Sequence, residues 1–317
     1  MDMLLRRHRT TPADHPAFAG LDVMRIPLQD GKTHAAVHVR GDLASSHPPL
    51  ICLAGYHRNM ADFSGFIETL QTTKLADWPL ILVDFPGRGR ADDRTKLEDY
   101  NSLNDLRDLE DILASLGIGR SIVFGQGHGG QIAMLYAARH PTMIAGTILV
   151  DAGPVTDSRG LVRLRSNSAH IASWQGQAVN SGFRRILGGD YPELSEIALD
   201  SLAKRTHSIG RKGRAVPLFD ERLIKRLDQF DFDDILVPQW QLFDALKCAP
   251  LLIFRTQLTD LLRREIYEEM VRRRPDAAAL TISGQGAPAL FDHFEEVETI
   301  VNFIGQIVRP SPSRARR

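Results

Sequence analysis

Residues 121–135 read SIVFGQGHGGQIAML. Ser121–Phe124 is a short apolar run that ends in glycine, the pattern of a strand buried on both faces. Gly125-Gln126-Gly127-His128-Gly129-Gly130 then turns the chain. Glycines there permit positive φ and close backbone approach. From Gln131 an amphipathic pattern runs to Pro141, which stops a helix. Strand, glycine turn and helix put the turn at the C-terminal edge of a sheet, where open α/β sheets bind their ligands. The middle position of the turn is Gly127, which has no side chain.

The same run-plus-glycine pattern recurs along the chain, in PPLICLAG at 48–55, WPLILVDFPGRG at 78–89, GTILVDAGP at 146–154 and APLLIFRT at 249–256. Helical patterns separate these runs, which predicts a parallel sheet covered by helices. Before the first run, LDVMRIPL and THAAVHVRG flank Gln29-Asp30-Gly31 and predict an antiparallel hairpin. YNSLNDLRDLEDILASLGI places Leu103, Leu106, Leu109, Ile112, Leu113 and Leu116 on one helical stripe, closed by Gly117 as C-cap. LLRREIYEEMVRRR and FEEVETIVNFIGQIV supply the last two helices. No internal repeat is present.

Between about Val155 and Leu246 the rhythm stops. Helical patterns are broken by glycines, and aromatic residues are scattered among them. The segment predicts a helical cap inserted over the C-terminal edge of the sheet, although extra helices on a sheet face would read the same way. The expected organisation is residues 1–154 as the first part of the core, 155–246 as the cap, 247–308 as the second part of the core, and 309–317 as a disordered basic tail.

Composition excludes several classes. With 43% apolar and 25% charged residues the chain has the make-up of a soluble globular protein. Lys plus Arg equals Asp plus Glu at 39 each, so no general attraction to nucleic acid or to an anionic membrane is expected. No apolar run reaches the ~20 residues of a membrane span. MDMLLRRHRTTPADHP has too short an apolar core for a signal peptide, and the expected location is cytoplasmic. Cys52 and Cys248 adjoin apolar runs and are both expected to be buried thiols.

Taken in order, these segments resemble the α/β-hydrolase fold over nearly the whole chain. PLICLAGYHRNMADFSGF resembles its opening strand and oxyanion loop. LILVDFPGRGRADD resembles its D-x-x-G-x-G-x-S segment, with Ala91 where Ser is usual. SIVFGQGHGGQIAML lies on the nucleophile elbow, G-x-S-x-G. APLLIFRTQLTDLL resembles the strand and turn that carry the triad acid, and ALTISGQGAPALF the final loop, commonly G-x-G-H-A-P. The resemblance implies a nucleophile position at Gly127, vacant here, and an acid position at Asp260. No histidine precedes Ala287-Pro288, where the base is usual. The implied oxyanion donors are the backbone N–H groups of Tyr56 and His128.

Four side chains are candidates to take over. His128, next to the turn, can act as a base or bind an anion, or simply hydrogen-bond the cap. His293 can reach Asp260 if its loop is rebuilt, or lie on the surface. His57 and Arg58 flank the oxyanion loop, and Arg58 can clamp a carboxylate or pair externally. Trp174 and Trp240 are expected to line the ligand pocket. Cys52 should point into the core and is rejected as a nucleophile. A metal held by His57, His128 and Asp260 has no supporting ligand spacing. G-Q-G-H-G-G with Asp151 downstream also echoes a dinucleotide fingerprint, but that fingerprint belongs to a first βαβ unit, whereas a hairpin and earlier parallel strands precede this turn. No cofactor is expected.

The expected protein is an α/β-hydrolase-family member with a defective Ser-His-Asp triad, little or no ordinary esterase activity and a retained small-molecule pocket. The alternative is an unconventional hydrolase of an ester, lactone or C–C bond, using His128 or His293 with Asp260. The partner is a small ligand or substrate, carboxylated or ester-like. Oligomeric state is left open, and a protein-interaction module has no support beyond the basic tail.

Overall fold

The computed structural model describes Arg9 and residues 11–308; the basic tail at 309–317 lies outside the described residues. The strands are β1 (Val23–Pro27), β2 (His34–Arg40), β3 (Leu50–Leu53), β4 (Leu80–Asp84), β5 (Ser121–Gln126), β6 (Ile144–Val150), β7 (His207–Ile209), β8 (Ala215–Pro217), β9 (Leu251–Thr256) and β10 (Ala278–Ile282). The helices are α1 (Ser64–Leu70), α2 (Ser102–Ser115), α3 (His128–Arg139), α4 (Ser158–Ser173), α5 (Gln177–Asp190), α6 (Glu196–Lys204), α7 (Arg222–Lys225), α8 (Trp240–Ala245), α9 (Arg264–Arg273) and α10 (Phe294–Val308).

Eight strands form one sheet in the order β1-β2-β4-β3-β5-β6-β9-β10. The predicted hairpin is present: β1 pairs antiparallel with β2, which pairs antiparallel with β4. From β4 to β10 every pairing is parallel. The order reverses at β3, which lies between β4 and β5. Connections on either side of that point leave toward opposite faces and open a crevice beyond the strand ends. The loop after β3 and the turn after β5 meet there.

The apolar runs are buried on both faces because helices cover both. Val123 and Leu53 face one core cluster, under α2, α3 and α8. Phe124 and Cys52 face the other, under α1 and α10. Phe124 packs edge-on against Phe63, Phe66 and Phe291. Each such fully buried side chain stabilises the fold by about 1.5–3 kcal/mol.

On α2 the stripe is Leu106, Leu109, Ile112 and Leu113, all buried. Leu103 was expected on it but is exposed, because the 100° step per residue carries it off the edge of the stripe. Asn101 caps the helix by accepting from the Asn104 N–H at 2.9 Å, and Gly117 ends it at φ +67°. Outside the segment between β6 and β9, α1 and the edge strand β10 are elements that the sequence patterns do not mark.

Between β6 and β9 lies the insertion. It is not purely helical, since β7 and β8 form an antiparallel ribbon. Near its end α8 packs on α3, and Phe243 and Leu246 join the core cluster of Val123 and Leu53. Cys248 is exposed rather than buried, because it sits on a 3₁₀ turn outside β9; Cys52 is buried as expected.

Candidate functional site

β5 enters α3 through Gly127 at φ +50° and ψ −112°. The turn is closed on both sides. The Gly127 N–H donates to Val150 O at 2.8 Å, and Gly127 O accepts from the N–H groups of Gly130 and Gln131 at 3.0 and 3.2 Å. Three of the four glycines are there for space. A Cβ on Gly125 would lie 2.4 Å from the Gly129 backbone, one on Gly129 2.1 Å from Leu53 O, and one on Gly130 2.3 Å from the Ala152 Cβ. Gly127 differs. A Cβ there would meet only Leu261 Cδ1 at 3.3 Å and the Gly55 Cα at 3.9 Å. The turn therefore faces open room, with the loop after β3 directly opposite.

That room is a cavity of about 400 Å³, within the usual size of small-molecule sites. Its floor is the crevice at the strand ends, including Tyr56, Gly127, His128 and Asp151; its walls and roof come from the insertion. Among the expected site residues, His57, Arg58 and Asp260 line it as well. Trp174 and Trp240 do not. Trp174 packs on Gly182 and Phe183 inside the insertion, and Trp240 packs toward the main core beneath the Arg273 guanidinium at 3.9 Å. Each ring fills a helix interface instead of the pocket expected of it.

His128 turns one ring nitrogen away from the cavity. Its Nε2 lies 2.8 Å from Asp105 Oδ2, and its ring meets Tyr56 edge-on at 5.4 Å. Asp105 also accepts from Arg88 at 3.0 Å and Arg94 at 2.6 Å. Burial alone would raise this carboxyl, but Arg88, His128 and Arg94 together hold it well below the ordinary range. The partner of His128 is thus Asp105, not Asp260.

Arg58 is paired within the chain with Asp62, through Nε at 2.7 Å and Nη2 at 2.5 Å, so of its two expected roles the structure shows a pairing one. His57 and His207 meet Phe219 edge-on from separate elements. Burial and the nearby Arg58 push both imidazoles down, His207 to about 4, so both are neutral near pH 7.

Asp260 carries no imidazole. Its Oδ2 lies 2.5 Å from Arg163 Nε on α4, and the same guanidinium holds Asp190 of α5 at 2.9 and 3.1 Å. Burial raises the Asp260 carboxyl and Arg163 opposes that shift. The loop at 284–288 closes onto the same group. The Gly286 N–H donates to Asp190 O at 2.7 Å, and a Cβ on Gly286 would lie 2.9 Å from the Asp190 Cβ. His293 is exposed at the start of α10, and its nearest acid is Asp292 at 3.8 Å; the rebuilt loop that would carry it to Asp260 is not formed, because its chain segment has already left for the α10 surface.

Comparison with known proteins places the fold. The family model of the alpha/beta hydrolase fold matches residues 48–294.

The chain belongs to the α/β-hydrolase family.

Among solved structures, an α/β hydrolase from Novosphingobium aromaticivorans is 27% identical and covers 90% of this chain and 98% of its own, with a TM-score of 0.78. Among characterised relatives, 3-hydroxybutyrate-oligomer hydrolase from Cupriavidus necator is 25% identical over 277 residues, 83% of this chain and 90% of its own length. A 2-hydroxy-6-oxononadienedioate/2-hydroxy-6-oxononatrienedioate hydrolase from Burkholderia vietnamiensis is 29% identical over 126 residues, 40% of this chain and 44% of its own. Within this α/β-hydrolase the strand order also disposes of the dinucleotide reading, since the glycine turn follows a central strand reached after the hairpin, β3 and β4.

Several residues of the hydrolase cavity escaped the sequence reading. Arg163, Asp190, His207 and Arg226 lie on the insertion, whose fold no short motif announces. Asp105 did leave a signal. It falls on the leucine stripe of α2, at i−4 from Leu109 and i−7 from Ile112, and an acid on an apolar stripe is a buried acid that needs a partner. Gln126 left none. It is buried next to the turn, and among the described residues neither amide atom has a hydrogen-bond partner.

Proposed function

We propose that this α/β-hydrolase has a defective triad and works as a small-molecule-binding protein with little or no ordinary esterase activity. The observation that carries this reading is the site at residue 127. The turn opens onto the cavity, but the residue there is glycine, so no hydroxyl or thiol is available to form an acyl-enzyme. The expected acid position supports the same reading, because Asp260 pairs with the Arg163 guanidinium and not with an imidazole. Gly286 is packed so closely against Asp190 that a side chain at this position would force a shift.

What remains is a cavity of about 400 Å³ with mixed apolar and polar walls. The relatives' names concern ester-linked oligomers and dicarboxylic acids; this supports a carboxylated or ester-like ligand.

A second reading has one observation in its favour. Asp105 orients His128 through Nε2, and His128 lines the cavity beside the turn. A water activated by Nδ1 of this imidazole is a route to hydrolysis without a nucleophilic side chain. A panel of activated esters and lactones separates the two. The binding reading predicts no turnover above buffer, with thermal stabilisation by the intact compound or its acid. Turnover that is lost in His128→Ala would establish the hydrolytic reading instead.

A further inference from the structure

The charged side chains that line the cavity are nearly all held by the protein itself. Arg58 is held by Asp62, Arg163 by Asp190 and Asp260, and Asp151 by Thr256. Arg226 is the exception. It lines the cavity and is half-buried, and its side chain makes neither a hydrogen bond nor an ion pair among the described residues.

Its backbone, by contrast, is fixed. Arg226 opens the 3₁₀ turn Arg226–Gln229, directly after α7. Arg165 on α4 donates to Leu227 O and Phe230 O, both at 2.9 Å, and so fastens that turn to the insertion. Tyr56 donates its hydroxyl to Leu223 O at 3.1 Å and fastens α7 to the core. A cation on an anchored turn, facing a cavity and lacking an internal counter-ion, is arranged for an external anion. Ser102 and Asn167 line the same cavity, and among the described residues their side chains are also without hydrogen bonds. Farther along, Phe183, Ile186 and Leu187 supply an apolar wall.

We propose that Arg226 is the anion anchor of this cavity, taking the carboxylate of an amphipathic organic acid whose apolar body lies along the insertion. This rests on the reading of the cavity as a ligand site and goes further by naming the ligand class and its contact. A phosphate ester offers a similar anion but carries about two charges near pH 7, whereas the one unpaired guanidinium matches a singly charged carboxylate, and Phe183, Ile186 and Leu187 form a wall for its apolar body.

The test uses the full chain with matched neutral and charged probes: hexanoate, octanoate and 4-phenylbutyrate, each beside its primary amide. Binding is read by calorimetry and thermal shift in the wild type, Arg226→Gln and Arg226→Lys. The acids are expected to bind better than their amides. Arg226→Gln should weaken the acids about 10- to 100-fold, the range of one charge-assisted contact, and leave the amides unchanged. Arg226→Lys should fall between. Without ligand, Arg226→Gln should melt with the wild type, since no internal partner is lost; a variant that fails to fold overturns the premise that Arg226 is unpaired. Acids that bind Arg226→Gln as well as wild type overturn the assignment and leave the pocket reading standing. If neither acids nor amides bind, both fall. Tighter binding of octyl phosphate than of octanoate overturns the carboxylate class.

Discussion

Asp260 Oδ2 lies 2.5 Å from Arg163 Nε, so a carboxylate of the core is paired with a guanidinium from the insertion. Arg163 joins two helices and a core loop at one point, because it also holds Asp190. Replacing it with alanine leaves two nearby carboxylates without a counter-charge. Arg163 is about half exposed, so solvent screens part of the loss. Arg163→Ala is expected to cost about 1–2 kcal/mol in urea unfolding. In a double-mutant cycle with Asp260→Asn a coupling of about 1 kcal/mol is expected; zero coupling would show that the pair carries no stability.

Gly127 relieves strain that any other residue would bear. At φ +50° and ψ −112° an L side chain is disfavoured, and Leu261 would also have to yield. Gly127→Ala and Gly127→Ser should each lose about 1–3 kcal/mol. Gly127→Ser should remain without appreciable esterase activity, because the loop at 284–288 holds no base to take its proton. A stabilised Gly127→Ala would contradict this account of the turn.

Asp151 gives a pH signature. It is buried at φ +48°, and its carboxyl accepts from the Thr256 N–H at 2.8 Å and from the Thr256 hydroxyl at 2.7 Å. Burial pushes it up to about 7, and the Thr256 bonds only partly offset this. Between the unfolded value near 4 and about 7 the folded state therefore binds more protons than the unfolded state. The contribution of this group is present at low pH and is lost as pH rises through that window. Asp151→Asn keeps an acceptor for the Thr256 N–H, while its NH2 donates to the Thr256 hydroxyl oxygen instead of accepting from it; it should flatten the fall in stability between pH 5 and pH 8 (roughly the titration range). An unchanged slope in denaturation at the two pH values would remove Asp151 as its source.

Gln126 has a buried amide with no partner among the described residues. Methionine has a similar shape and no such requirement. Gln126→Met should leave stability unchanged or raise it by about 1 kcal/mol. A clear drop in melting temperature would show that the amide is satisfied in solution.

Much of the core could be read from the chain because its rules are local. The apolar runs, the glycine turns and the leucine stripe of α2 each follow from burial on both faces, close packing or helical period. β10 was harder, since its pattern is largely exposed and an edge strand need not be apolar. The position of the turn at Gly127 and of Asp260 in the cavity was also legible, through the order of the motifs. The insertion was not. Arg163, Asp190 and Arg226 come together only through the packing of α4, α5 and the turn after α7, and nothing in their neighbouring residues encodes that. His293 and the two tryptophans were misplaced for the same reason: type and proximity in sequence suggested a role, whereas helix packing settled where each side chain went.

The central claim is that the turn at residue 127 holds no attacking group. The direct measurement is intact-protein mass spectrometry after exposure to a fluorophosphonate probe and to an activated ester, followed by peptide mapping of residues 121–139. The account predicts an unmodified mass with both reagents. A single stoichiometric adduct on that peptide would contradict it.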